Sequence, residues 1–149
     1  MKGFPDLPPL RWLGSIAAIY AIKWAVPSAH VEWSFLTALS WVVMVSALAL
    51  IGWSGIWFMR KKTPIEPHHT PKVLIVEGPY RVSRNPIYLA LVMLTLSSAL
   101  GHGSVIGLAF VALLWWVLNQ RFAIPEEVLL RETFGAQAQT YLERTKRWI

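Results

Sequence analysis

Residues 72–90 read KVLIVEGPYRVSRNPIYLA, setting Glu77, Arg81, Arg84 and Asn85 among the turn formers Gly78, Pro79 and Pro86. Tyr80 and Tyr88 stand in the same stretch. A glycine lets backbone approach a ligand closely, and arginines beside a helix N-terminus bind carboxylates and phosphates. As structure alone, the same residues make two turns and a helix cap at head-group level, with Tyr80 and Tyr88 as interfacial aromatics. A second segment, RFAIPEE at 121–127, carries Arg121, Glu126 and Glu127. Acids in the first turn of a helix favour its macrodipole by a few tenths of a kcal/mol. At the same depth as Arg81 and Arg84, they can also hold ribose hydroxyls or a cationic ligand centre.

Other polar residues carry less. His68 and His69 are adjacent in a loop without a third ligand at useful spacing, and His102 falls in the opposite turn, so no metal is expected. Asn119 and Gln120 either line an acceptor channel or bond between helices. The chain has no cysteine, which excludes disulfides, thiolate metal sites and cysteine nucleophiles.

These segments must be held by the rest of the chain, which is 55% hydrophobic and only 15% charged over 149 residues. That balance predicts an all-α polytopic membrane protein of one domain, covering 1–149, rather than a soluble one. Four spans are expected, at about 10–26, 33–59, 86–100 and 104–123. Residues 1–9 are proline-rich and interfacial, with Trp12 as an anchor, and Pro27 stops the first span. After a short turn at 28–32, the second is flanked by Trp33, Trp53 and Trp57 as belt residues. Residues 63–85 hold four prolines and read as extended and turned. Asn85-Pro86, a cap residue before a proline at the first helical position, starts the third span. The Gly101-His102-Gly103 turn makes a helical hairpin of the third and fourth. Pro125 opens a final helix to Phe134, and another follows Gly135, so that 125–146 lies on the membrane surface and folds back over the central loop.

The net charge is +6, and its placement decides between partners. Basic residues cluster at 60–84, at 121–147 and before the first span, while the turns at 27–32 and 101–104 have none. The positive-inside rule puts both termini, the 63–85 loop and the tail in the cytoplasm. The basic charge therefore faces the lipid bilayer and not nucleic acid. No cleavable signal peptide is evident.

Leu74, Gly78, Pro79, Tyr80, Arg84, Asn85, Pro86 and Tyr88 form L-x-x-x-G-P-Y-x-x-x-R-N-P-x-Y. After the hairpin come Glu126-Glu127, then Phe134-Gly135, Tyr141 and Arg147-Trp148. The ordered set, from about Pro64 onward, resembles the isoprenylcysteine carboxyl methyltransferase and phospholipid methyltransferase superfamily, particularly its short bacterial members. The resemblance implies methyl transfer from S-adenosylmethionine, leaving S-adenosylhomocysteine, to a lipophilic acceptor in a prokaryotic inner membrane, from a site facing the cytoplasm. It implies that Leu74, Val76, Gly78, Pro79, Tyr80, Asn85, Pro86, Tyr88, Glu126 and Glu127 enclose the cofactor in the 63–85 loop and around it, and that the acceptor enters sideways between helices. Eukaryotic prenylcysteine enzymes carry histidine at the position of Asn85 and another near Lys72, so the substrate differs or is open. No strand-linked G-x-G-x-x-G is present.

Methyl transfer needs an in-line nucleophile and a dry approach, and orientation alone supplies on the order of 7–11 kcal/mol. A carboxylate acceptor needs no base, and Arg84 or Arg121 orients it. An amine acceptor, such as that of a phospholipid, must lose a proton, and Glu126 or Glu127 is the nearest base. The alternative class is a non-catalytic membrane scaffold or a transporter. A proton-coupled transporter needs an ionisable group at mid-membrane, and no acid falls inside the expected spans. Binding of S-adenosylmethionine separates the classes.

Overall fold

The computed structural model describes residues 7–26, 33–62 and 73–149. The helices are α1 (Pro8–Ala25), α2 (Ser34–Lys61), α3 (Pro86–Gly101), α4 (Val105–Leu118), α5 (Ile124–Phe134) and α6 (Ala136–Arg144). No strand forms among the described residues; a single isolated bridge pairs Ser83 with Lys146 in parallel. The turn at 28–32, the first six residues, and His68, His69 and Lys72 lie outside the described residues.

α2 is 28 residues, about 42 Å at 1.5 Å per residue, and carries no acid. Many of its large side chains point outward: Phe35, Trp41, Val42, Val45, Leu48, Trp53 and Ile56 are all exposed. Its buried residues are small, Ser40, Ala47 and Ser54, seven apart along one stripe. Such a stripe lets a neighbouring helix approach closely. α3 takes that place, with the Ser97 hydroxyl donating to the Ser40 carbonyl at 2.8 Å. An apolar exterior around a small-residue interior is the reverse of a soluble helix pair. α2 and the run from Val105 to Phe134 are long and apolar enough to cross a membrane; α3 is a shorter apolar helix of 16 residues.

α1 lies against α3 and α4, and α4 packs on α3. Trp12 of α1 packs on the core of Tyr88, Leu91, Leu114, Leu118, Phe122 and Ala123. Trp57 covers Gly78, and the Arg60 guanidinium sits 5.4 Å from its ring centre. At the hairpin, Gly103 takes φ +59°, and the Ser104 hydroxyl caps α4 by accepting from Gly107 N–H. His102 stacks edge-on with Tyr20 there, centroids 4.4 Å apart.

Within the stretch expected to be extended and turned, Gly78–Arg81 forms one 3-10 turn, with Pro79 supplying its fixed φ at the start. More consequentially, Pro125 does not open a separate helix. The helix runs unbroken from Val105 to Phe134, and Asn119–Ala123 forms a π turn within it. A proline ring clashes with the carbonyl four residues back in a regular helix, and the wider π turn accommodates it.

Candidate active site

The tail folds back over the 73–85 segment and is fastened to it by hydrogen bonds. The Arg84 N–H donates to the Lys146 carbonyl at 3.0 Å, and the Ser83 hydroxyl and Asn85 Nδ2 both donate to the Arg147 carbonyl at 3.2 Å. Asn85 thus stands at the N-cap position of α3 without making a capping bond; its side chain serves the tail. The Tyr141 hydroxyl donates to the Tyr80 carbonyl at 2.8 Å.

At the centre is Glu127, whose side chain is 5% exposed. Its Oε1 accepts from Arg84 Nη1 at 2.7 Å and Arg147 Nε at 2.6 Å, and its Oε2 from Arg147 Nη2 at 2.9 Å. The carboxylate holds the Arg147 guanidinium above its ordinary range through those bonds. The other nitrogens of Arg84 donate to the carbonyls of Thr145 and Leu142. Asn119, inside the π turn, accepts through Oδ1 from Trp148 Nε1 at 3.1 Å and from Arg147 at 3.4 Å. Arg84, Glu127 and Arg147 therefore form a closed clamp whose hydrogen-bonding capacity is largely used.

Glu126 faces elsewhere. It is half-buried and accepts from the Tyr88 hydroxyl across the gap between α3 and α5. Tyr88 packs on Phe122, centroids 6.0 Å apart. Tyr80 sits nearby in the 3-10 turn, buried, its ring edge-on to Phe58 at 5.8 Å and its hydroxyl against that of Ser54. Burial, with Tyr141 beside it, pushes the Tyr80 phenol well above its usual range. Gly78 allows that turn: its φ is +60°, and a Cβ there would fall 1.9 Å from Trp57 Nε1. Lys61, at the end of α2, pairs with Glu77 at 2.5 Å and holds that carboxyl below its usual range.

Outside the clamp, a cavity of about 610 Å³ opens between this segment and α6, lined by Leu74, Val76, Arg81 and, from the tail, Gln137 and residues 140–145 in part. Of the residues singled out from sequence, Leu74 and Val76 line the cavity, Gly78, Pro79 and Tyr80 form the turn beside it, and Pro86 starts α3. Tyr88 pairs with Glu126, while Arg84 and Glu127 face each other in the clamp. Arg121 is exposed on the π turn and is not among the cavity's lining residues. Sequence reading passed over Thr140, Arg144, Thr145 and Ser54. Arg147 and Trp148 were visible only as a terminal pair; what marks Ser54 is its place in the seven-residue stripe of small residues.

The phospholipid methyltransferase family model matches residues 34–137, from the start of α2 into α6. No curated protein and no solved structure matches the chain. The matched residues include the 3-10 turn, Arg84, the Tyr88–Glu126 pair and the π turn, and over that span the chain belongs to the phospholipid methyltransferase family.

Proposed function

We propose that this protein transfers a methyl group from S-adenosylmethionine to an amine on a membrane-partitioned, phospholipid-like acceptor. The observation that carries the choice of acceptor is the division of labour between adjacent acids. Glu127 is neutralised by two guanidinium groups, whereas the bonded partner of Glu126 among the described residues is the Tyr88 hydroxyl. A carboxylate without a cation repels a carboxylate acceptor and attracts a protonated amine. It can also take the proton that the amine must lose before attack.

The residues present fit the cofactor. A cavity of about 610 Å³ is within the usual range for small-molecule sites, and it combines apolar side chains with a few polar groups. Leu74, Val76 and Tyr141 would hold it, with the Gly78–Tyr80 turn as one wall. When bound, S-adenosylmethionine supplies an electrophilic methyl group on a sulfonium. Tyr88 orients the Glu126 carboxylate, and the aromatic rings of Tyr80, Tyr88 and Phe122 keep water from the approach. The clamp of Arg84, Glu127 and Arg147 positions the tail that forms the other wall.

In the membrane, the reading is of four spans formed by α1, α2, α3 and α4, with both termini and the site on the cytoplasmic side of a prokaryotic inner membrane. α5 and α6 then lie at that interface. The basic segments at 60–62 and 144–147 support this orientation.

The test is methyl transfer from labelled S-adenosylmethionine by purified protein in nanodiscs, with phosphatidylethanolamine and a prenylcysteine as competing acceptors. Label in the phosphatidylethanolamine product is expected. Label in the prenylcysteine alone would overturn the amine assignment.

A further inference from the structure

The charged side chains lining the cavity are Arg81 and Arg144, and no acid lines it. Their cationic neighbours are otherwise engaged: Lys61 with Glu77, Arg84 and Arg147 with Glu127. Arg81 and Arg144 are exposed and have no hydrogen-bond or ion-pair partner among the described residues. The remaining polar lining is partly spent. The Thr140 hydroxyl donates to the Ala136 carbonyl and that of Tyr141 to the Tyr80 carbonyl. What the cavity still has to donate is two guanidinium forks, the Gln137 amide and the Thr145 hydroxyl.

Two arginines from different segments, one on the 3-10 turn and one at the end of α6, converge on one cavity where the tail is fastened over the turn. A guanidinium presents paired donors that match the oxygens of a carboxylate or phosphate. We infer that Arg81 and Arg144 form an oxyanion site within this cavity. Two sources present that chemistry: the carboxylate at the amino-acid end of the cofactor, which rests on the methyl-transfer reading, and the phosphate of a lipid head group, which does not.

The experiment is calorimetric titration of the full chain in phosphatidylcholine nanodiscs. The ligands are S-adenosylhomocysteine, 5′-methylthioadenosine, which lacks the carboxylate, and the soluble short-chain lipid dihexanoyl phosphatidate. Each is titrated into the parent protein and into the Arg81→Gln, Arg144→Gln double variant, whose helicity is checked by circular dichroism. If the carboxylate is the ligand, the double variant loses about tenfold or more in affinity for S-adenosylhomocysteine and keeps that for methylthioadenosine. If the phosphate is the ligand, the loss of about tenfold falls on phosphatidate instead. Unchanged affinity for both oxyanions in the folded double variant, or no binding of either by the parent, overturns the inference. Parent protein that binds phosphatidate but neither adenosyl compound supports the oxyanion site, provided the double variant loses it, while removing the methyl-transfer reading.

Discussion

The Tyr88 hydroxyl donates to the Glu126 carboxylate, joining the second residue after the Pro86 helix start to the residue that directly follows Pro125. The bond ties α3 to α5 and fixes which of two neighbouring acids faces the space between them.

Removing that donor tests its role in orientation. Tyr88→Phe keeps the ring against Phe122 and is expected to lower methyl transfer about tenfold, and Glu126→Gln about a hundredfold. Affinity for S-adenosylhomocysteine should stay within twofold in both, read by calorimetry beside the kinetic assay. Parent-like rates in Glu126→Gln would remove it as a base.

Glu127 answers to stability rather than chemistry. Glu127→Ala leaves two guanidinium groups facing each other without a counter-charge, and a broken buried pair of this kind costs about 3–5 kcal/mol. Thermal unfolding in detergent should show a lower midpoint for Glu127→Ala and for Arg84→Ala. The double variant should lose less than the sum of the two, because the residues share one network.

Gly78 is constrained twice. In Gly78→Ala the new methyl group meets the Trp57 indole, and the residue must also hold φ +60°. Trp57→Ala in the same chain relieves the contact but not the backbone strain, so binding of S-adenosylhomocysteine should recover only in part. Complete recovery would show that the contact alone matters.

Alkaline conditions should release the tail. Burial raises the pKa of Tyr80 and of Tyr141 above the ordinary phenol value of 10.0. The unfolded chain therefore loses these protons first, and the stability they contribute is full below about pH 10 and falls as pH rises past it. Absorbance at about 295 nm, the usual wavelength for tyrosinate, should rise together with loss of helicity above about pH 10. A tyrosinate signal that precedes any structural change would contradict the coupling.

Much of the frame was legible in the chain. Asn85-Pro86 and Gly101-His102-Gly103 bracket α3 to within a residue, because proline and glycine act locally, and Arg60 with Lys61 marks the end of α2. The meeting of the 72–90 and 121–127 segments also followed, from the charge pattern and the hairpin. The fate of Arg84 did not: its partners Leu142, Thr145 and Glu127 lie 43–61 residues away, and nothing in its neighbourhood distinguishes a clamped arginine from one awaiting a ligand. Glu126 and Glu127 were equally inseparable, since consecutive helical residues differ by about 100° in direction and only the packed helix assigns each a side. The π turn was hidden for a related reason. Pro125 signals a disturbance, but nothing local to it tells a break from a widened turn, and the contact that Asn119 makes inside that turn, with Trp148, lies 29 residues away.

That widened turn works as a phase shifter. A π turn is in effect one residue inserted into a regular helix, so α5 is rotated by roughly 100° from the direction α4 alone would give it. Deleting one residue from 119–123 would restore an unbroken α-helical phase and turn the whole of α5 back. Neither acid would then point where it does: the carboxylate now held by Arg84 and Arg147 and the one now held by Tyr88 would be displaced together. The identity of each glutamate is thus written in the helix upstream of it as much as in its own position.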